Sequence, residues 1–258
     1  MPTIAPKPAP RSQRRRAGRV ASVLCIATAL IPAGIAGAAA GDEGLVPFSA
    51  RYLVRVSALP FPGHAERSLE RIDGHWRFRS RVKAPLLSLT QETLLDAGPE
   101  LRAREYRQRQ GGLLGGRERR VTFDRAAGLV RRSGDKTREH PLVEPAWDPL
   151  GWQLALQRDL KQDHPVPAER YHYRVSDGGD YEHYSFAPRE REAVTVPAGT
   201  FEALRLERDP VPAGEEETRL WLDPARGYRL LRMDLVDEDG RTLTVTLETA
   251  PAGAAAGP

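Results

Sequence analysis

Along most of this chain apolar side chains fall on every second residue. Such alternation commits a segment to a half-buried β-strand, because successive side chains of a strand point to opposite faces. Residues 48–58 set the pattern: Phe48, Ala50, Tyr52, Val54, Val56 and Ala58 share one face, and Ser49, Arg51, Arg55 and Ser57 the other. Pro60 and Pro62 then break the run. Asp73-Gly74 is the pair that a two-residue type I′ loop prefers. It sets a hairpin with Leu69 facing Phe78 and Arg71 facing Trp76 on the inner side, and Glu70 facing Arg77 and Glu66 facing Arg81 outside. Residues 87–95, 101–108 and 117–123 continue the rhythm between glycine-rich breaks.

The period changes between residues 147 and 160. Asp148 is a good N-cap, Pro149 suits the first helical position, and Leu150, Trp152, Leu154, Leu156 and Leu160 spread over a wide arc. A helix over about 148–160 with so broad an apolar surface plugs or covers a concave sheet. Beyond it, a Gly178-Gly179 turn pairs Tyr173 with Tyr184 and Tyr171 with Phe186, aromatic contacts worth ~0.2–1 kcal/mol each. His172 and His183 then point to the other face, opposite Ser185 and Arg174. At residues 194–206, Pro197 and Gly199 let the chain reverse, and an Ala198-Gly199 loop places Val196 opposite Phe201 and Glu192 opposite Arg205. Leu204 and Leu206 make both faces of the second strand apolar, so this hairpin is expected in a covered position near the helix. The expected fold is mainly β: an antiparallel meander of about a dozen strands in a curved sheet or partly open barrel, with one covering helix. Without alternating helices, a parallel α/β fold is ruled out.

The first 40 residues carry six basic side chains and no acidic one, ahead of an apolar run over 20–35 that is broken by Pro32 and Gly34. That run is too short to span a bilayer, and Ala38-Ala39-Ala40 fits a cleavage site, so residues 1–40 read as a signal peptide cleaved near Ala40. Residues 41–250 then form a single β-rich domain, and 251–258 an Ala/Gly disordered tail, with no transmembrane span in the mature chain. Cys25, the only cysteine, leaves with the signal, which suits a periplasmic protein without disulfides. Six of the 39 Lys and Arg go with it, leaving 33 against 35 Asp and Glu, a balance that disfavours nucleic acid as a partner. Charge is uneven within the domain: residues 48–140 hold 20 basic and 11 acidic side chains, residues 141–249 hold 13 and 22.

Spread over these strands are Phe48-x-Ala50-x-Tyr52, Phe123-Asp124, Asp148 with Leu150 and Leu154, the turn Val196-Pro197-Ala198-Gly199-Thr200-Phe201, and Trp221 two residues before Asp223. In that order the landmarks resemble the domain of unknown function 3108, a family of exported bacterial proteins. Leu101-Arg102-Ala103-Arg104-Glu105-Tyr106 departs from the glycine-x-leucine-x-proline element often found before a tyrosine there. The resemblance implies envelope localisation and a β-rich fold, and supplies no activity or catalytic residue.

Chemistry is sparsely signalled. His64, His75, His140 and His164 stand singly in loops without metal-ligand spacing, and alternation keeps Glu182 away from His172 and His183. No nucleophile elbow, zinc-protease helix or phosphate loop occurs. No catalytic, metal or cofactor residue is therefore assigned. The reading that results is a non-enzymatic periplasmic protein binding a lipid-like molecule or a cell-envelope partner, with Trp76, Phe78, Trp152, Tyr171, Tyr173 and Tyr184 lining the concavity, unless these residues simply fill a core. Two alternatives stand beside it: a hydrolase of envelope polysaccharide using a carboxylate pair, and an interaction module of an envelope assembly using the basic face of Arg77, Arg79, Arg81 and Lys83.

Overall fold

The computed structural model describes residues 44–84, 87–98, 100–112, 115–211 and 214–249. The expected signal peptide and tail lie outside them. Before the helix come β1 (Phe48–Val56), β2 (Gly63–Ile72), β3 (His75–Ala84), β4 (Leu87–Asp96), β5 (Arg102–Gly112), β6 (Arg117–Asp124), β7 (Leu129–Gly134) and β8 (Arg138–Pro141). After α1 (Trp152–Gln162) come β9 (Tyr171–Ser176), β10 (Tyr181–Val196), β11 (Gly199–Arg208), β12 (Glu217–Asp223), β13 (Arg229–Val236) and β14 (Thr242–Thr249).

All fourteen strands form one antiparallel sheet in the order β8-β7-β6-β5-β4-β3-β2-β1-β14-β13-β12-β11-β10-β9. Every neighbour is a hairpin partner except β1 and β14, which join the two halves in the middle. The sheet is not closed by a ladder, but its two edges meet. His140 Nε2 on β8 lies 2.9 Å from Ser176 Oγ on β9, and Arg132 donates to Asp177 at 3.2 Å. Trp147 adds a parallel bridge to β9, donating to the Arg174 carbonyl and accepting from the Ser176 N–H, both at 2.8 Å. A seam of side-chain bonds, with the main-chain bridge at Trp147, thus joins the two edges of an open barrel.

Register follows the turns. With Asp73-Gly74 as the loop, Leu69 faces Phe78, Arg71 faces Trp76, Glu70 faces Arg77 and Glu66 faces Arg81. Tyr173 faces Tyr184 and His172 faces Ser185, as the glycine turn requires. The 197–199 hairpin differs from the expected register: Val196 pairs with Gly199, Val194 with Phe201 and Glu192 with Ala203. Pro197 and Ala198 form the loop, because proline's fixed φ suits a turn and its missing N–H suits no ladder. At the hairpin tip the Ala198 N–H donates to the Leu247 carbonyl of β14 at 3.1 Å. The start of β10, at Phe186, meets α1.

The helix begins at Trp152, four residues later than the sequence pattern suggests. Asp148 does cap, but it caps the preceding turn: its Oδ1 accepts the N–H groups of Leu150 at 2.9 Å and Gly151 at 2.8 Å. Trp152, Leu154, Ala155, Leu156 and Leu160 are all buried, so α1 fills the concavity of the sheet. The core runs without a break from Tyr52 and Phe78 through the helix to Tyr173 and Phe186.

Candidate functional site

Strand pairing places one row of polar side chains across the inner face of five neighbouring strands. Arg67 on β2 pairs with Ser80 on β3, Ser80 with Gln91 on β4, Gln91 with Gln108 on β5, and Gln108 with Arg119 on β6. Arg67, Ser80, Gln91 and Gln108 are buried. Part of the row is satisfied internally. Gln91 Nε2 donates to Tyr106 Oη, which donates to Gln108 Oε1 at 2.9 Å; Arg119 Nη2 donates to the same oxygen at 3.1 Å and reaches Asp177 across the seam.

Arg119 Nε is nonetheless left without a partner, and the other end of the row is less satisfied still. Arg67 is only 4% exposed, and among the described residues no carboxylate lies within ion-pairing distance of it. It donates to Gln153 of α1 and lies 4.9 Å above the Phe78 ring. Its Nε and the neighbouring Ser80 Oγ are buried without hydrogen-bond partners. Burial lowers the Arg67 pKa, with a smaller opposing effect of Tyr52. An uncompensated cation and an orphaned hydroxyl side by side are costly in a core, and such groups ordinarily have partners.

Polar contacts also hold the helix over this row. Thr93 donates to Asp148 Oδ2 at 2.6 Å, Tyr173 to Asp159 at 2.8 Å, and Tyr171 to Asp163 at 2.9 Å. Burial, opposed in part by the hydrogen bonds from Thr93, Gly151 and Leu150, raises the Asp148 pKa to about 6. The folded chain therefore holds this proton more tightly than the unfolded chain. The resulting stability is complete below about pH 4 and is lost as pH rises through about 6, a change of order 3 kcal/mol. Asp148→Asn keeps the acceptor for Leu150 and Gly151 and has no proton to lose. Its urea midpoint is expected to fall less than that of the wild type between about pH 4.5 and 7.5; parallel curves would contradict the assignment.

The six aromatic residues singled out by sequence fall into two groups. Trp76 and Phe78 are buried on β3, Phe78 beneath Arg67. Trp152 gathers the rest: it stacks on Phe186 at 4.9 Å, meets Tyr184 edge-on at 5.6 Å and lies 6.3 Å from Tyr173. Tyr171 is buried beside them. All six therefore belong to or pack against one core, on either side of the polar row. Arg67 and Ser80 escaped sequence reasoning, although both occupy apolar-phase positions of their strands, the one signal that could have found them.

Several histidines and the buried carboxylates are engaged elsewhere, while His172 and His183 are exposed. His64 lies 3.2 Å from Glu248, His75 3.1 Å from Asp96, and His140 ties the seam. Of the buried carboxylates, Asp148 caps a turn, Asp223 pairs with Arg226 at 2.8 Å and Asp234 with Arg232 at 2.6 Å. Much of the basic half is neutralised by cross-strand pairs such as Glu70–Arg77 and Arg79–Glu92. Among the described residues, no group of three or more His, Cys, Asp or Glu is placed to hold a metal ion, and no helix is long and apolar enough to cross a membrane.

A family model described as a protein of unknown function (DUF3108) matches residues 51–248. Among solved structures, the chain is similar to a β-barrel-like protein of the domain of unknown function DUF1849 from Brucella abortus. Identity is 12%, covering 81% of this chain and 99% of that one, with a TM-score of 0.54. At that identity the likeness is one of fold. A protein from Parabacteroides distasonis described as a "putative lipoprotein" aligns at 10% identity over 80% of this chain and 95% of its own, with a TM-score of 0.30. No curated protein matches.

Proposed function

Because the chain belongs to the DUF3108 family of proteins of unknown function, its role has to come from its own interior, and we propose that it is a non-enzymatic periplasmic protein that holds a lipid-like molecule with an anionic head inside the barrel. The observation that carries this reading is the buried, carboxylate-free Arg67 beside the orphaned Ser80 hydroxyl. An anionic head there offers acceptors to both groups in place of Gln153. The apolar part of the ligand lies against Trp76 and Phe78 on one side and Trp152, Tyr171, Tyr173 and Tyr184 on the other, with α1 shifting to admit it. The helix is tied to the sheet by the packing of Trp152 as well as by side-chain hydrogen bonds, and admitting a ligand exchanges contacts of both kinds. The basic, then apolar, then small-residue order of the first 40 residues supports export and cleavage near Ala40.

Lipid extraction and native mass spectrometry of the exported chain test this. An anionic amphiphile is expected to copurify with the wild type and to fall at least about tenfold in Arg67→Met, the loss of one buried charged contact. Methionine fills similar space without a buried charge, so the variant is expected to fold. A wild-type chain free of ligand, or full retention by Arg67→Met, would overturn the reading.

A further inference from the structure

We infer that the end of the barrel bearing the β1–β2 loop docks onto the anionic surface of a lipid bilayer. The meander brings the end of β1, the start of β2, the end of β3 and the start of β6 to one rim. In the β1–β2 loop, Leu59 is 50% and Phe61 67% exposed, two large apolar side chains within three residues. Pro60 and Pro62 restrict the backbone that presents them. Beside the loop runs a groove of about 780 Å³ on the outer face of β14, floored by Thr244 and bounded by Arg55, Arg232 and the hairpin tip at Pro197.

The charges on the β1–β6 side of this rim complement a phosphate-bearing surface. Arg55, Lys83 and Arg117 are exposed, and among the described residues none has an acidic side chain within ion-pairing distance. Farther along the same strands, Arg77 and Arg79 are neutralised by Glu70 and Glu92. On that side the acids close to the rim, Glu118 and Asp135, are held by Arg109 and Arg132; on the other side of the loop the β13–β14 turn carries Glu238 together with Asp237 and Asp239, which share Arg241. Rigid apolar side chains flanked by free cations are the combination that partitions into the headgroup region of anionic membranes. None of these residues belongs to the buried row, so this inference stands or falls apart from the interior ligand.

Phe61→Trp supplies the test, because the native tryptophans are 2–7% exposed and the new indole would be the one open to water. In the exported chain, its emission is expected to shift to the blue on vesicles of phosphatidylethanolamine and phosphatidylglycerol, and to stay unshifted on phosphatidylcholine alone. Arg55→Gln and Lys83→Gln are each expected to weaken partitioning about fivefold, and Leu59→Ser with Phe61→Ser to abolish flotation with the vesicles. Circular dichroism of each variant separates loss of docking from loss of fold. An unshifted emission of the Phe61→Trp variant on anionic vesicles overturns the inference, as does equal binding to both kinds of vesicle.

Discussion

Trp152→Ala is expected to destabilise the protein by about 3–5 kcal/mol, the range for emptying a buried aromatic site. The indole contributes more than volume. It stacks on Phe186 with 10° between the planes and meets Tyr184 at 90°, so it joins α1 to β10 through two favourable ring geometries. Its Nε1 also donates to the Pro149 carbonyl at 3.1 Å and so fixes the turn that Asp148 caps. Alanine removes the link between helix and sheet and the link between helix and turn together. Guanidinium denaturation followed by tyrosine and tryptophan fluorescence would measure the loss, and hydrogen exchange of the α1 amides should rise more than that of β2 and β3. A variant within about 1 kcal/mol of the wild type would mean that the helix is held by the aspartate contacts and not by aromatic packing.

The second large effect is expected at the seam. Gly178 has φ +84°, and a Cβ there would lie 2.4 Å from Cβ of Arg132, well inside contact distance. Arg132 also bonds Asp177, which Arg119 holds as well, so moving its strand loosens three charged groups at once. Gly74 provides the control. Its φ is +78°, but a Cβ there meets nothing within 4 Å. Gly74→Ala therefore reports backbone strain alone, about 1 kcal/mol, while Gly178→Ala adds the clash across the seam and is expected to cost roughly 3 kcal/mol or more. Equal melting temperatures for the two variants would show that the edges of the sheet do not bear on each other.

Which parts of this fold could be read in the chain depended on how strongly local pattern and tertiary context agreed. Hairpins with Asp-Gly or Gly-Gly turns and apolar alternation were legible down to the residue pair, because turn type and inner face specify the same register. β7 and β8 were not seen: Leu129–Gly134 carries Arg131 and Arg132 in succession, and Arg138–Pro141 is short, charged and ends in proline. They are strands because the sheet beside them offers a ladder. The helix start was misplaced because Asp148 has cap chemistry, used here on a turn one step earlier. Within the site, the aromatic residues were visible as inward-facing strand and helix positions. Arg67 was hidden because arginine is ordinarily a surface residue. Its apolar-phase position marks it as inward-facing, and the missing carboxylate, a three-dimensional fact, sets it apart.

The pairing of β1 with β14 also governs when the barrel can form. Every other ladder closes a local hairpin, whereas Val54 and Val245 meet after roughly 190 intervening residues have been made. Until then the first strand presents an open row of amide and carbonyl groups, while the hairpins that follow it are already able to form. β14 is thus the strand that removes the exposed edge of β1. Nascent or truncated chains lacking Thr242–Thr249 carry β1 and β13 as templates for another molecule's strand, so aggregation risk in this protein concentrates at its C-terminal end.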